Sequence, residues 1–338
     1  MSDQRAKSIA CFGEVLLRFA VSSGARLMNA SNFIAHCGGA EANVCSMLAQ
    51  LGHSAEIVTV LPHSALGELC RSELSRTGVG TNRILRAEGR LGLYFMEADA
   101  RGSGRILYDR AQSVFVEHAD EFDWPAISSS IGWLHLSGIN VALGGKAASA
   151  ALLAVEEARS GGATVSFDVN HRASLWEARS KDDFDLVRRI VGLSDVIFAS
   201  PTDLSRLLDQ ELRCETPDER RHAAKAAFEQ FENARTIACT LRWFEAGCQA
   251  LSARIDSRET GYETKRAAIN AVSDRIGSGD AFAAGVIDGL LHDASIESSA
   301  LRGLSAAVMK HGIAGDRWIG TREDLEHFDP FVAADVRR

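Results

Sequence analysis

The chain has 338 residues, 46% of them hydrophobic, with 37 basic against 45 acidic side chains and a formal charge of -8. Such a balance excludes the broad basic surface that nucleic acid requires, while a single small pocket for one anion stays compatible with it. The seven cysteines are scattered without a CxxC pair, so reduced core thiols are expected instead of a zinc site or a disulfide framework.

From the amino end, the first seven residues are polar and carry no signal peptide, and no apolar run reaches about 18 residues. A cytoplasmic protein without membrane contact is the expectation. Residues 8–19 then read as a strand, 41–51 as a helix, 55–61 as a strand and 64–76 as a helix with Leu66, Leu69 and Leu74 at helical spacing. Residues 131–139 form a buried strand, 146–159 an alanine-rich helix and 164–169 a strand ending in polar residues. A strand at 196–199, a helix at 202–208 and late helices at 282–291 and 298–310 follow. Strand–helix alternation with short links predicts a doubly wound α/β fold, its mostly parallel sheet covered on both faces.

One region breaks the rhythm. Residues 92–98 alternate and are separated from 105–110 by the turn-rich 99–104, which reads as an antiparallel hairpin. With strand material near 15–20 and 33–35 it predicts a small separate sheet: a single domain over 1–338 with lid segments at about 15–35 and 90–112. An ordinary edge hairpin is the plainer alternative.

The densest chemistry lies in Asp274-Arg-Ile-Gly-Ser-Gly-Asp-Ala-Phe-Ala-Ala-Gly285. Gly277, Ser278 and Gly279 let successive backbone N–H groups form an anion-binding nest at a helix start. Asp280 stands at its mouth, where a carboxylate can take a hydroxyl proton; from this motif alone, a simple helix N-cap is an equal reading. Neither a Walker A loop nor a dinucleotide fingerprint is present.

This segment resembles the C-terminal signature of the ribokinase-like (phosphofructokinase B) carbohydrate kinases, D-x-x-G-A-G-D-x-F-x-x-G, with Ser278 in place of alanine. The N-terminal signature is similar too, in Gly38-Gly39-Ala-Glu-Ala-Asn43-Val followed by Ala49-Gln-Leu-Gly52. The resemblance runs from near residue 9 to about 325. It implies an ATP-dependent, Mg²⁺-requiring sugar kinase with Asp280 as catalytic base, Gly277–Gly279 as anion hole, and Gly38, Gly39 and Asn43 facing the acceptor.

Within the family, the residues are most similar to the 2-keto-3-deoxygluconate kinase group. Gly13-Glu14-Val-Leu-Leu-Arg18, Tyr94, Tyr108-Asp-Arg110, Asp168-Val-Asn170-His-Arg172 with Leu175-Trp176, and Lys310-His311-Gly-Ile-Ala-Gly-Asp316 carry that likeness. It implies that Tyr94, Tyr108, Arg110, Asn170 and Arg172 bind substrate. Arginine's planar fork suits a keto acid's carboxylate, so Arg110 and Arg172 are the natural pair for it, with a phosphoryl clamp as the alternative role.

Departures concentrate on the nucleotide side. Where Asn-x-x-Glu is usual, Ser200-Pro-Thr-Asp203 stands, leaving Asp203 to hold Mg²⁺ through water and Ser200 as either ligand or helix cap. Thr240-Leu-Arg242 and His311 are assigned to the nucleotide, Arg242 being equally readable as an exposed strand-end charge. His171 reads as aromatic packing beside Arg172. The expected partners are a sugar acid, ATP and a second copy of the chain bound through the lid. A kinase for fructose, ribose or a nucleoside, and a non-catalytic sugar-binding regulator, are the rival functions.

Overall fold

The computed structural model describes residues 7–21, 25–98, 104–177, 179, 181–245, 248–270 and 272–332. Its strands are β1 (Ser8–Phe12), β2 (Leu16–Ala20), β3 (Ile34–Gly38), β4 (Ala55–Pro62), β5 (Ile84–Ala87), β6 (Gly92–Ala98) and β7 (Gly104–Asp109). They continue as β8 (Ile131–Ser137), β9 (Thr164–Asp168), β10 (Val196–Phe198), β11 (Thr236–Glu245), β12 (Cys248–Ser257), β13 (Gly261–Glu263) and β14 (Ala267–Ile269). The main sheet runs β13-β12-β11-β10-β9-β8-β1-β4-β5, with β14 paired to β12. Every pairing from β11 through to β5 is parallel. The pairings of β12 with β11, β13 and β14 are antiparallel, an edge that the alternation did not predict.

Both faces of this sheet are covered. Ala10 and Phe12 of β1 belong to one apolar cluster, and Ile9 and Cys11 to the other. That split is the signature of a strand buried on two sides, and it is why β1 and β8 read as near-continuous apolar runs. The helix Gly145–Ser160 packs its alanines, Ala147, Ala150, Ala151, Ala154 and Ala158, against one face. The helices Ser278–Leu291 and Ile296–His311 pack on the other.

The predicted strand over 8–19 is two strands in two sheets. β1 sits in the main sheet, whereas β2 joins β3, β6 and β7 in a second sheet of order β3-β2-β6-β7. The chain breaks at Gly13-Glu14-Val15, where Glu14 turns inward to an arginine instead of continuing an apolar layer. The hairpin of β6 and β7 is antiparallel, as its alternation predicts; of its turn, residues 99–103 lie outside the described set, as do residues 1–6 and 22–24 of other sequence readings.

In the small sheet, the register aligns Arg18 with His36 and Tyr94, and Tyr94 with Tyr108. The alternate row aligns Phe19 with Ala35 and Phe95, and Phe95 with Leu107. Through these middle rows one face carries polar and the other apolar side chains, since strand side chains alternate. Arg18 and Tyr94 are buried, while Leu107 and neighbouring Phe33 are exposed. The polar face is the one turned inward. Among the described residues, no helix is long and apolar enough to cross a membrane.

Candidate active site

The chain proceeds from β1 to β4 and β5 on one side and returns to β8 on the other. Such a reversal opens a crevice at the carboxyl ends of the strands, the ligand position of open α/β sheets. Asp168 ends β9, Ser200 follows β10 and Glu14 follows β1. A cavity of about 340 Å³ opens there, lined by Asp168, Asn170, Arg172, Ser200, Asp203, Thr240 and Gly279 among others. Residues assigned to substrate and to nucleotide from four separate segments thus share one space.

Asp280 lies beside it. The helix Ser278–Leu291 begins two residues before Asp280, and its N-cap is Gly277, with no side-chain cap bond. The capping reading of Asp280 therefore fails: its carboxylate is not tied to its own helix. Instead Asn43 Nδ2, from the helix Ala40–Gln50, donates to Asp280 Oδ2 at 2.6 Å. Burial pushes the Asp280 carboxyl up to about 6, against the opposing pull of the Asn43 bond and the Arg172 charge. Asn43 Oδ1 is buried and has no hydrogen-bond partner among the described residues.

Two glycines permit the backbone geometry. Gly277 adopts φ 81°, and a Cβ there would collide with the carbonyl oxygen of Asp316. Gly39, at φ 139°, caps the Ala40–Gln50 helix, where a Cβ would strike the carbonyl oxygen of Glu14. Both conformations are closed to ordinary L residues. At Gly279 a Cβ would meet nothing, so backbone stands open toward the cavity that Gly279 lines.

The two arginines assigned to a carboxylate differ. Arg172 lines the cavity, and its guanidinium makes no hydrogen bond among the described residues, its carbonyl serving the helical turn that follows. Arg110 is buried, and its Nε and Nη2 both donate to Glu14 Oε2, the former at 2.8 Å. One of the two forks is thus already bridged within the protein. Tyr94 is buried and donates its hydroxyl to Asp316 Oδ2, and the half-buried Tyr108 ring lies 5.8 Å from it. Asn170 holds a positive φ of 40°, its N–H donating to Asp168 Oδ1 at 3.0 Å. His171 stacks on Trp176 with centroids 5.8 Å apart, the aromatic packing expected of it.

On the nucleotide side, Ser200 is the N-cap of the helix Pro201–Leu208, in a reciprocal capping box with Asp203. Asp203 Oδ2 accepts from Ser200 Oγ at 2.6 Å. The cap reading of Ser200 is therefore the one realised, although both residues still border the cavity. Arg242 is exposed on β11 and reaches Gln249 Oε1 at 3.4 Å; residues 246–247 of the following turn lie outside the described set. His311 differs from its assignment as a nucleotide contact. It is fully buried at the end of Ile296–His311, its Nδ1 on the Ala307 carbonyl at 2.7 Å, and burial pulls its pKa down to about 4. Packing of the last helical turn against residues 273–274, whose N–H groups donate to the His311 carbonyl, removes it from the surface.

Five charged residues, Glu41, Asp168, Arg18, Asp274 and Asp316, belong to the site without having been assigned a role from sequence. Glu41 accepts from Ser137 Oγ at 2.6 Å, and burial pushes it up to about 7. Asp168 is pushed up to about 8 by burial, with Asp280 and Asp203 adding repulsion. Arg18 joins Asp274 and Asp316, and Asp316 bears against Gly38 of the N-terminal signature. The available signal was a charged residue inside an apolar or small-residue run, as in Gly-Glu-Val-Leu-Leu-Arg. Asp168 and Asp203 supply the hard oxygen donors that suit a divalent cation such as Mg²⁺. A separate group, His53, Asp288 and His292, also brings ligand atoms within 4.8 Å. There Asp288 is already held by Arg302 and by Arg322, at 2.8 Å for the latter, so positive charge stands where a cation would bind.

A glycine-led helix start, an adjacent buried carboxylate and a polar crevice define a phosphotransferase-type α/β site. Residues 6–316 match the model of the pfkB family of carbohydrate kinases. The chain is 28% identical to a 2-dehydro-3-deoxygalactonokinase of Haloferax volcanii, over 93% of this chain and 94% of that one. It is also 28% identical to a 2-dehydro-3-deoxygluconokinase of Bacillus subtilis, over 94% of each. The crystal structure of a 2-dehydro-3-deoxygluconokinase from Thermotoga maritima superposes with a TM-score of 0.88 at 31% identity, covering 95% of this chain and 98% of that one. The chain belongs to the pfkB family of carbohydrate kinases.

Proposed function

We propose that this sugar kinase phosphorylates the terminal hydroxyl of 2-keto-3-deoxygluconate, with ATP as donor, giving 2-keto-3-deoxy-6-phosphogluconate. The observation that carries the reading is the Asp280 carboxylate, uncapped and fixed by Asn43 at the head of the glycine-led helix. The acceptor lies between the polar face of the small sheet, acting as a lid, and the carboxyl ends of the main strands. Its hydroxyl oxygen attacks the γ-phosphorus as Asp280 takes the proton, and ADP leaves with the bridging oxygen. Backbone N–H groups of residues 277–279 face the charge that develops on the transferring group.

Arg172 is the free guanidinium for the acceptor's carboxylate, with Tyr94, Tyr108 and Asn170 around its keto and hydroxyl groups. Arg110, neutralised by Glu14, shapes that wall. Asp168 and Asp203 would hold Mg²⁺, which supplies charge neutralisation to the phosphates when bound. Kinship to both a deoxygluconate and a deoxygalactonate kinase supports a keto-deoxy acid over a neutral sugar. The apolar face of the small sheet, with Phe33 and Leu107 exposed, supports pairing of two copies through the lid. A cytoplasmic setting belongs to the same proposal.

The deciding experiment is coupled ADP release over a panel of 2-keto-3-deoxy acids and neutral sugars. Turnover should be greatest with 2-keto-3-deoxygluconate. A kcat/KM higher for fructose or ribose, or near-normal turnover in Asp280→Asn, would remove the proposal; the variant should instead lose about 10²–10⁴ in kcat while still binding the acceptor.

A further inference from the structure

Arg18 is a charged side chain in the middle of a strand, 3% exposed. Its Nη1 lies 2.6 Å from Asp274 Oδ2 and 2.9 Å from Asp316 Oδ1, so one nitrogen bridges two carboxylates from the far end of the chain. Asp274 opens the turn that leads to Asp280. Its Oδ1 accepts from Ile276 N–H at 3.0 Å and its Oδ2 from Gly315 N–H at 3.1 Å. Asp316 accepts the hydroxyl of Tyr94, the in-register neighbour of Arg18. The carbonyl of Asp316 bears on Gly277, so the turns at 274–277 and 315–316 touch directly.

Other charged groups face this cluster. His36 is in register with Arg18 on β3. Lys310, fully buried at the end of the Ile296–His311 helix, donates to the Ile313 carbonyl at 2.9 Å. Among the described residues of the small sheet, only Arg18 reaches both acids at once. We propose that Arg18 is a positioning residue that clamps the glycine turn before Asp280 to the acceptor-side sheet, so that seating of the sheet and shape of the anion cradle are set together. The proposal rests on reading that turn as the phosphoryl-transfer cradle.

Three variants separate geometry from charge. Arg18, Asp274 and Asp316 together carry a net charge of -1; Arg18→Met makes it -2, and Arg18→Met with Asp316→Asn returns it to -1 while leaving the Asp274 bonds to the turn in place. The readouts are amide hydrogen exchange over residues 273–280, which needs no turnover, and steady-state kinetics. Arg18→Met should expose the turn to exchange and lower kcat by roughly 10-fold or more, with acceptor KM changed by less than about 3-fold. The double variant should regain thermal stability without regaining turn protection or kcat, and Arg18→Lys should recover part of both.

Wild-type exchange and kcat in Arg18→Met would overturn the clamp, as would full recovery of both in the double variant, which would reduce Arg18 to charge balance. If Arg18→Met does not fold, the double variant decides by the same exchange measurement. Absence of sugar-dependent ADP release from the wild-type chain would sink the kinase reading instead, and exchange over the turn would still decide the clamp.

Discussion

As the proposed base, Asp280 must be both buried and ionised, and these demands oppose each other. Burial raises its carboxyl to about 6, so the folded chain holds a proton on it over a range where the unfolded chain does not. Stability therefore falls as pH rises from about 4 to about 6, and the ionised carboxylate is carried at a cost above that range. Asp280→Asn should gain on the order of 1–3 kcal/mol in denaturant unfolding at pH 7 while losing turnover. For the wild type, kcat/KM should climb with pH through about 6, and a flat profile between pH 5 and 7 would argue against Asp280 as the base. Arg172→Leu should raise KM for a keto acid by roughly 10- to 100-fold, the worth of a charge-assisted contact, and leave a neutral sugar unaffected. Asp280 and Asn43 were legible in the sequence because signatures mark them. Arg18 was not assigned, since its partner Asp316 stands 298 residues away, and nothing local distinguishes a buried ion pair from a solvated charge.

At the scale of elements, the start of the Ser278–Leu291 helix is the most constrained piece. Gly277→Ala would place a methyl group against the Asp316 carbonyl at a positive φ, costing about 2 kcal/mol or more and displacing the anion cradle. Reduced thermal stability together with lost turnover is the expected result; an active, stable Gly277→Ala protein would contradict the geometry. Helices with clear apolar periodicity were readable to within a few residues, including Ala65–Arg76 and Pro201–Leu208. The break between β1 and β2 was not, because both halves are apolar and only tertiary contacts assign them to different sheets. The antiparallel edge escaped for a related reason: β11 and β12 pair over ten residues each, a preference that local composition does not record.

Across the molecule, the small sheet turns its Arg18 and Tyr94 row inward, beside a main sheet that is apolar and covered on both faces. The small sheet reverses the usual order of a half-buried sheet, hiding Arg18 and Tyr94 while presenting Leu107 at 52% exposure and Phe33 at 43%. If two copies pair through this face, Leu107→Glu should shift the light-scattering mass toward a monomer while the wild type stays larger. The overall α/β plan and the presence of the small sheet followed from alternation and its single interruption. Which face of that sheet looks inward did not, since Arg18 and Phe19 occupy neighbouring positions and either row could have been the buried one.

The bond between Asn43 and Asp280 joins residues 237 positions apart. During synthesis the amide partner leaves the ribosome long before the carboxylate exists, so a nascent chain that stops short of residue 280 lacks the proposed base, however well its earlier strands have folded. The two halves of the proposed centre can meet only after β14, the last strand of the main sheet, has been made.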